Sequence, residues 1–593
     1  MNHPSDERYI VTRIIDACLR EDVRCIASKG IVAEPGPALL SAWPEAAVPA
    51  VWLRIDHLPD GIVWLPVRRE GYLQEVSACH DYWLVQQGGQ VLSEHGAGPW
   101  LARLGSGLDE EAQRLHRAYA EEAACAIGHR GAARQGYAEQ APLLANALRL
   151  PDAAERAYRC DQVASYRDHP FYPTARAKLG LTDEQLRRFA PEFGASFALR
   201  WLAVPRSQAT CTSAAPALWP EPATLGLPAS VAESHLLWPV HPMLWDQLGQ
   251  DDFPLPDGSL RAPREWLQVR PTLSVRSLAC MQAPGFHIKV PVPMRTLGAL
   301  NLRLMKPSTL YDGHWMERVL RMIAHLDPIL GTCCVPVDEA HGGHVGEASH
   351  LTYLVRRYPE LPDATLVPAA AFCAAMPDGR PMAAHLADQF HGGDLVAWWD
   401  DYTALLCRVH LRLWLRYGIA LEANQQNCVV IYSAGHATRL LMKDNDSARI
   451  RLPRLRAQLP GLDVLGTPRD PRLLVDEEAW LARMFCTIVL QLDLQAILEG
   501  LSAGQPELRA RLYARLRLQL AQVLQQLDDE AIDTAPARQL LSADRLPVKY
   551  LLSAGSLLSK RHTGALDINK YYGDSAPNPF GGGFSRNASP ARP

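Results

Sequence analysis

The sequence lacks several features that would classify it at once. Its 13 cysteines are odd in number and scattered, with no C-x-x-C pair, which argues against a disulfide framework and for reduced thiols. Lysine and arginine total 60 against 64 aspartates and glutamates, for a net charge of -4. A nucleic-acid-binding surface would need a basic excess, so we expect no nucleic-acid partner.

Membrane and targeting signals are also missing. No stretch approaches the roughly 18 uninterrupted apolar residues that a membrane-spanning helix requires. The first residues lack the basic and then apolar pattern of a signal peptide. We therefore expect a soluble cytoplasmic protein that makes no membrane contact.

Three common catalytic signatures are absent from the chain. Neither G-x-x-x-x-G-K-[ST] nor G-x-G-x-x-G between a strand and a helix occurs, so the sequence supports no P-loop and no Rossmann site. A G-x-S-x-G elbow, which would indicate a serine hydrolase, is missing as well. The function has to be sought in other patterns.

What the chain does have is the composition of a globular protein, with 48% apolar and 21% charged residues in a length of 593. That length suits roughly three to four domain-sized units. We predict an α+β protein of three parts, residues 1–157, 158–385 and 386–593, with no chemistry concentrated in the first. The third part should be largely helical outside one hairpin, with a disordered tail from about residue 575.

The most informative stretch is a cluster of amide side chains directly before an apolar strand. Gln426 and Asn427 precede a strand predicted over 428–432, and a turn leads to a second strand over 437–442. A hairpin returns its end to its beginning, so Asp444 should lie beside the two amides. That arrangement suits a Mg²⁺-bound nucleotide, because Mg²⁺ takes one or two carboxylates plus phosphate oxygens. A polar loop that only caps the hairpin is an equal alternative.

A second predicted hairpin carries positive charge. Residues 272–278 alternate in polarity, which places Ser274 and Arg276 on one face. If the register centres on the following turn, Lys289 of the return strand lies opposite Leu278 and shares the face of Arg276. Two cations and a hydroxyl on one surface suit a triphosphate or a polycarboxylate, although a solvated edge face would show the same pattern.

Three histidines, His341, His344 and His350, follow a cysteine pair in a glycine-rich segment. A structural zinc site needs four well-placed ligands. We expect a mobile loop here rather than a metal centre.

Taken in chain order, these motifs resemble those of the siderophore synthetases that work without a peptide-synthetase assembly line, the aerobactin-synthetase (IucA/IucC) family. The resemblance covers most of the chain from about residue 160 onward. The matching positions are the loop His169-Pro170-Phe171-Tyr172-Pro173 with Arg176, Lys178 and Gly180, the element Pro239-Val240-His241-Pro242, the strand Ser274-Val275-Arg276-Ser277, Lys289, Arg303, the loop from Glu422 to Asn427, and Asp444.

The resemblance implies a hand-like enzyme, with an N-terminal thumb (1–157), central fingers (158–385) and a C-terminal palm (386–593), often assembled as a homodimer. It also implies a two-step reaction. ATP adenylates a carboxylate, usually of citrate or a citrate derivative, and pyrophosphate is released. An amine or a hydroxyl then attacks the acyl-adenylate to form an amide or an ester.

The roles that the resemblance implies agree with the chemistry of the residues. Carboxylate and triphosphate repel each other until cations screen them, so orientation and charge neutralisation would supply most of the catalysis. The catalytic cations would be Arg276, Lys289 and Arg303. ATP would be bound by Ser274, Arg276, Ser277, Lys289, Gln426 and Asn427, and the acyl substrate by His169, Arg303, Asn424 and Lys549. Mg²⁺ would be held by Asp444 and Glu422.

Three positions depart from the family pattern. Asn424 and Tyr172 stand where the family has histidines, and Ala299 stands where it has a threonine if Arg303 is the matching arginine. These positions are expected to touch the acyl substrate. The acid could therefore be 2-oxoglutarate or an existing half-amide rather than citrate.

Two other classes of function stay open. A kinase-like small-molecule phosphotransferase shares the pattern of polar loop, hairpin and metal-binding Asp, but no Asp stands shortly before Asn427 as a catalytic base. A relative without catalytic activity is suggested only by Asn424, because asparagine cannot act as a general base near neutral pH.

Overall fold

The computed structural model describes residues 4–296, 298, 302–563 and 571–581. Helices pack around several sheets, most of whose strand pairs are antiparallel. The predicted α+β class is confirmed, and the hand-like division into three parts stays a prediction.

The N-terminal part is an antiparallel sheet covered by helices. Its elements are α1 (Pro4–Arg20), β1 (Ile31–Val32), α2 (Pro37–Leu40), β2 (Val51–Ile55), β3 (Ile62–Arg69), β4 (Val76–Ala78), β5 (Tyr82–Gln87), β6 (Gln90–His95), α3 (Ala97–Gly105), α4 (Glu110–Leu144) and α5 (Ala153–Ser165). The strand order is β1-β2-β3-β5-β6, with β4 paired to β3. Asp109 starts the long α4 by accepting a hydrogen bond from the backbone of Ala112, which satisfies a free helix donor.

A nine-stranded sheet occupies the middle of the chain. Its region contains α6 (Asp183–Phe189), β7 (Phe197–Pro205), β8 (Ala209–Cys211), α7 (Val231–Ser234), β9 (His235–Val240), α8 (Pro242–Trp245), β10 (Leu260–Arg261), β11 (Trp266–Pro271), β12 (Ser277–Cys280), β13 (Phe286–Lys289), α9 (Ser308–Leu326), α10 (Pro328–Cys333), β14 (Cys334–Pro336), β15 (Asp338–Val345) and β16 (Tyr353–Arg357). The order is β10-β7-β11-β12-β13-β16-β15-β8, with β9 paired to β7.

The last part surrounds a smaller sheet with helices. Its elements are β17 (Ala364–Pro368), α11 (Met382–Phe390), α12 (Leu395–Leu415), β18 (Ile419–Ala420), β19 (Cys428–Ser433), β20 (Arg439–Met442), β21 (Arg449–Ile450), α13 (Leu452–Gln458), α14 (Glu478–Met484), α15 (Ala496–Leu501), α16 (Pro506–Asp529), α17 (Ala535–Ser542), β22 (Arg545–Lys549), α18 (Lys560–Thr563) and β23 (Tyr572–Pro577). A four-stranded sheet has the order β14-β20-β19-β17. It therefore joins strands from both sides of residue 385.

The continuous helical stretch Glu478–Leu501 has the length and apolar character of a membrane span, with a mean hydropathy of 1.5. Its centre, Phe485–Gln495, is π-helical. In the fold, 89% of its apolar window is buried. The apolar side chains of this stretch therefore belong to the protein core.

The charged hairpin differs from its prediction in two details. Residues 272–276 form a tight turn, because β11 ends at Pro271 and β12 begins only at Ser277. Thr272 closes this turn with hydrogen bonds from its backbone N and its Oγ1 to the carbonyl of Ser277. The register pairs Lys289 with Ser277. The prediction that Lys289 lies opposite Leu278 is therefore wrong by one residue.

The prediction of a mobile loop around the three histidines is also wrong. His341 and His344 lie in β15, and His350 lies in a short 3₁₀ turn. His341 Nε2 is 3.1 Å from the Tyr353 hydroxyl. The glycines here serve packing, since a Cβ on Gly343 would lie only 2.6 Å from the Tyr353 ring.

The predicted disorder from about residue 575 is wrong at its start. β23 pairs with β22, and Phe580 is fully buried. Residues 582–593, on which the rest of that prediction falls, lie outside the described residues.

Candidate functional site

A cavity of about 450 Å³ opens where the turn between β11 and β12, the end of β13, the loop before β19 and the segment after β20 meet. Ser277 does not line it and is buried within β12. The other predicted site residues all do: His169, Ser274, Arg276, Lys289, Arg303, Glu422, Asn424, Gln426, Asn427, Asp444 and Lys549. Segments far apart in sequence thus converge on one site.

Asp444 joins the two hairpins in the wall of this cavity. Its Oδ1 accepts hydrogen bonds from Lys289 Nζ and from the Arg356 guanidinium, both at 2.6 Å. Arg356 is only 2% exposed and also bonds Glu339 at 2.6 Å. Burial by itself would raise the pKa of Asp444, but Arg356 and Lys289 hold that pKa well below its usual range. Asp444 is therefore an ionised carboxylate.

Both turns that carry site residues contain a residue in the left-handed region. Val275 has φ of 65° and Asp444 has φ of 57°. This conformation is unfavourable for residues other than glycine, most of all for β-branched ones, and it concentrates at functional sites. The ladder between β19 and β20 continues with a hydrogen bond from Lys443 N to Asn427 O. This places Asp444 just past Asn427, as the hairpin prediction required.

Arg276 and Arg303 form a pair of half-buried cations that line the cavity. Arg276 donates to the carbonyl of Leu304 at 2.6 Å. The Nε atoms of both arginines are buried and have no hydrogen-bond partner among the described residues. Burial lowers the pKa of Arg276, and burial followed by the proximity of Arg276 lowers the pKa of Arg303 to about 9. Both remain charged at neutral pH, so the pair favours an incoming anion.

The loop of residues 421–427, here called the Gln–Asn loop, is shaped by its own side chains. Asn424 Oδ1 accepts hydrogen bonds from the backbone N–H groups of Gln426 and Asn427, at 3.0 and 3.1 Å. Asn427 Nδ2 donates to the carbonyl of Glu422 at 3.0 Å. Gln425 Nε2 donates to the carbonyl of Leu492 in the π-helical stretch at 2.9 Å. The loop is thus held by hydrogen bonds between its own residues and by one hydrogen bond to the π-helical stretch.

His169 is held as a neutral donor. Its Nδ1 accepts hydrogen bonds from the backbone N–H groups of Phe171 and Tyr172. Burial, followed by the charges of Arg13 and Lys549, lowers its pKa to about 3. A neutral imidazole that accepts at Nδ1 carries its proton on Nε2, so His169 can donate to a ligand but is a poor base.

The carboxylates of the cavity suit a hard cation in chemistry. Asp444, Asp446 and Glu422 line it, and Mg²⁺ needs only one or two carboxylates when phosphate oxygens complete its shell. No preassembled group of three or more metal-type ligands occurs within the described part of the chain. The residues therefore fit a Mg²⁺ ion that arrives together with a phosphate ligand.

Comparisons with known proteins agree with one another. The sequence model described as the IucA / IucC family matches residues 157–374, and a second, described as ferric iron reductase FhuF-like transporter, matches residues 396–564. Staphyloferrin B synthase of Staphylococcus aureus is 25% identical over 465 residues, 71% of this chain and 78% of that protein. Further curated relatives match over about half of their own length. The chain belongs to the IucA/IucC family.

The IucA/IucC assignment makes the protein a siderophore synthetase, an ATP-dependent ligase. Solved structures share the fold over nearly the whole chain. The petrobactin biosynthesis protein AsbB from Bacillus anthracis has a TM-score of 0.74 at 15% identity and covers 97% of this chain and 95% of its own. ATP-bound aerobactin synthetase IucA from Klebsiella pneumoniae has a TM-score of 0.69 at 17% identity and covers 97% and 99%.

The departures from the IucA/IucC pattern have structural roles. Asn424 shapes the Gln–Asn loop with its side-chain oxygen. The Tyr172 hydroxyl donates to Glu122 at 3.0 Å and lies 2.7 Å from the Ser556 hydroxyl, in a fully buried place. Ala299 lies outside the described residues. The two substitutions therefore stabilise the walls of the site as well as lining it.

Sequence reasoning missed Arg356, Glu339 and Asp446. Arg356 lies in the apolar strand β16 and pairs with Glu339 of the neighbouring β15. A charged residue inside an apolar strand is a usable signal, because arginine is rarely fully buried unless it is paired. Asp446 lines the cavity two residues after Asp444, and that short spacing was the signal for it.

Proposed function

We propose that the protein adenylates citrate or a citrate derivative with ATP and then condenses it with an amine or a hydroxyl, releasing AMP and pyrophosphate. The observation that carries this proposal is the single cavity that holds Arg276, Arg303 and Lys289 together with Asp444 and Gln426. A carboxylate and a triphosphate are both anions, and this cavity offers cations to both. The names of the similar proteins, staphyloferrin B synthase and aerobactin synthetase, support the same class of reaction.

In the first step, a carboxylate oxygen of the acid attacks the α-phosphorus of ATP, and the bond to the pyrophosphate oxygen breaks. The two anions can approach only when their charges are screened. Arg276 and Arg303 have no partner at Nε among the described residues, so phosphate or carboxylate oxygens would pair with the two guanidinium groups and offset the cost of their partial burial. Catalysis would then rest on orientation and charge neutralisation.

Bound Mg²⁺ would add positive charge at the phosphates. Asp444 would hold it from the protein side, with Asp446 or Glu422 as the second carboxylate. Arg356 and Lys289 keep the pKa of Asp444 low, so Asp444 stays ionised and can serve as a ligand across the neutral pH range.

In the second step, the amine nitrogen or hydroxyl oxygen attacks the acyl carbon, and AMP leaves. His169, with a pKa of about 3, would orient an oxygen of the acid through its Nε2–H. Lys549 lines the same cavity from the end of β22 and would bind a second carboxylate. Neither Asn424 nor His169 is suited to take the proton of the nucleophile.

One assay tests this proposal against its alternatives. The protein is incubated with ATP, Mg²⁺, an acid and a panel of polyamines and amino alcohols. Pyrophosphate together with AMP supports the ligase, whereas ADP supports a kinase-like phosphotransferase. Neither product, with tight ligand binding, supports a relative without catalysis. Replacing citrate by 2-oxoglutarate decides between a citrate enzyme and a 2-oxoglutarate-specific synthetase, and Arg276→Ala should nearly abolish acid-dependent pyrophosphate release.

We also propose that the enzyme is a homodimer that works in the cytoplasm, where ATP is available. Light scattering of the purified protein tests the first part. A molar mass that stays at 65.6 kDa across concentrations would contradict it.

A further inference from the structure

A second cavity of about 390 Å³ lies beside the first and is separate from it. It opens between α5, the ends of β13 and β16, and the sheet that contains β17 and β19. Its lining is mostly apolar and aromatic and includes Phe286, His287 and Tyr358. The volume is in the range of small-molecule sites. None of the roles assigned above uses this space.

Lys443 and Asp161 belong to the wall between the two cavities. Both line the second cavity and not the first. Lys443 directly precedes Asp444, and Asp161 Oδ1 accepts a hydrogen bond from Leu273 N at 2.6 Å. Leu273 and Asp444 line the first cavity. A molecule in the second cavity would therefore contact residues that hold both site turns.

Three polar groups at the second cavity are poorly satisfied by the described residues. Lys443 is 5% exposed, and the carboxylate closest to its ammonium is Asp161, at 4.0 Å, which is too long for a hydrogen bond. Tyr158 is 4% exposed, and its hydroxyl is buried with no hydrogen-bond partner among the described residues. His287 is half-buried, and neither of its ring nitrogens makes a hydrogen bond within the described part of the chain. Buried polar groups are normally paired, so Lys443 and Tyr158 point to a ligand site.

The balance of donors and acceptors sets the chemistry of that ligand. Lysine and tyrosine both offer donors here. The other charges of the lining already have contacts: Arg357 lies 3.5 Å from Glu360, Asp152 caps the N-terminus of α5, and Asp161 accepts a hydrogen bond from Leu273 N. The site therefore calls for an acceptor on the ligand, and the aromatic walls call for a flat apolar body.

We propose that the second cavity binds a small aromatic carboxylate, with the carboxylate at Lys443 and Tyr158 and the ring against His287 and Tyr358. The carboxylate pairs with the buried ammonium and accepts the hydrogen bond of the phenol. The ring packs on the tilted pair of His287 and Tyr358, whose centroids are 4.7 Å apart. This proposal does not depend on the reaction proposed for the first cavity.

Fluorobenzoate is a suitable probe, followed by fluorine NMR on the full-length protein. We expect saturable binding, with Tyr158→Phe and Lys443→Met each weakening it about fivefold or more, the loss expected for one hydrogen bond. Fluorobenzylamine, which carries the opposite charge on the same ring, should bind far more weakly. Lys29→Met, at an exposed lysine, is the matched control and should leave the affinity unchanged.

Two further experiments distinguish binding in the second cavity from binding in the first cavity, and loss of binding from loss of folding. Excess citrate and ATP should leave the bound probe in place. Tyr158→Phe removes only a hydroxyl that has no hydrogen-bond partner among the described residues, so the thermal unfolding of this variant should match that of the wild type. The proposal is overturned by absence of saturable binding up to about 10 mM, by equal binding to both variants, or by displacement with citrate.

Discussion

Replacing Arg303 by methionine should separate two effects of this cation: its cost in folding free energy and its contribution to the proposed reaction. Burial and the neighbouring Arg276 lower the pKa of Arg303 to about 9. Its Nε is buried without a partner among the described residues. The ligand-free protein therefore holds this charge at a cost in folding free energy. Methionine has a similar length and no charge, so it removes that cost while filling much of the same space.

The magnitude follows from known replacements of buried charges. Exchanging whole buried ion pairs for well-packed apolar residues is commonly neutral or stabilising by about 1–4 kcal/mol. Arg303 is a single, half-buried cation, so we expect an effect towards the lower end, with Arg303→Met unfolding at an equal or higher urea concentration. A base whose pKa falls on folding destabilises the fold at every pH below the folded value. As the pH rises through about 9, the folded state releases the proton before the unfolded state does, and the penalty fades. The advantage of Arg303→Met should therefore shrink above that pH.

The same substitution should impair the reaction. Loss of one preorganised charge typically lowers the rate about 10²–10³-fold, which acid-dependent pyrophosphate release would measure. ATP should also stabilise the wild type more than the variant. Arg187→Met is the matched control, since the Arg187 side chain is 48% exposed and its loss should change stability by less than about 0.5 kcal/mol. Destabilisation of Arg303→Met by more than about 1 kcal/mol, or full activity, would refute the reasoning.

Substitutions at three further positions test other parts of the site. Because the pKa of His169 falls to about 3 on folding, the unfolded state alone takes up this proton as the pH drops below about 6.5, and stability should fall towards pH 3. His169→Asn removes the imidazole, so its urea midpoint should fall less steeply with decreasing pH than that of the wild type. If the two midpoints fell in parallel, this would count against a neutral His169. Arg356→Met leaves Asp444 and Glu339 without their shared partner and should cost about 3–5 kcal/mol, so an unchanged urea midpoint would contradict the network. Asn424→Ala should lower the free energy of unfolding by about 1 kcal/mol, the cost of losing a side-chain cap, and should also lower activity. Asn424→Asp keeps an acceptor oxygen and should keep most of the stability. An equal loss of stability in both variants would exclude a role for the two hydrogen bonds to Asn424 Oδ1.

The hairpin of the Gln–Asn loop could be predicted because its information is local. Apolar runs on both sides of a short turn fix which residues meet, and the hydrogen bond from Lys443 to Asn427 follows from that pairing. The position of Asp444 past the last pair needs no knowledge of the rest of the chain. The family motifs added the long-range step of placing Arg276 and Asp444 in the same cavity.

The remaining details depend on backbone and long-range contacts that periodicity does not reveal. Alternating polarity over 272–278 cannot show that Val275 adopts φ of 65° in a turn that delays the start of β12 to Ser277. The pairing of Lys289 with Ser277 depends instead on the length of the turn between β12 and β13. The pairing of Arg356 with Glu339 joins two strands and becomes visible only when the sheet is assembled. Glycine at position 343 resembles a loop residue in the sequence, although packing against aromatic rings requires it.

A crystal structure with a non-hydrolysable ATP analogue and Mg²⁺ tests the central claim most directly. The account predicts phosphate oxygens within about 3 Å of the guanidinium nitrogens of Arg276 and Arg303, with the metal ion on Asp444. A nucleotide bound elsewhere, with no phosphate near the two arginines and Asp444 still paired only with Lys289 and Arg356, would contradict it.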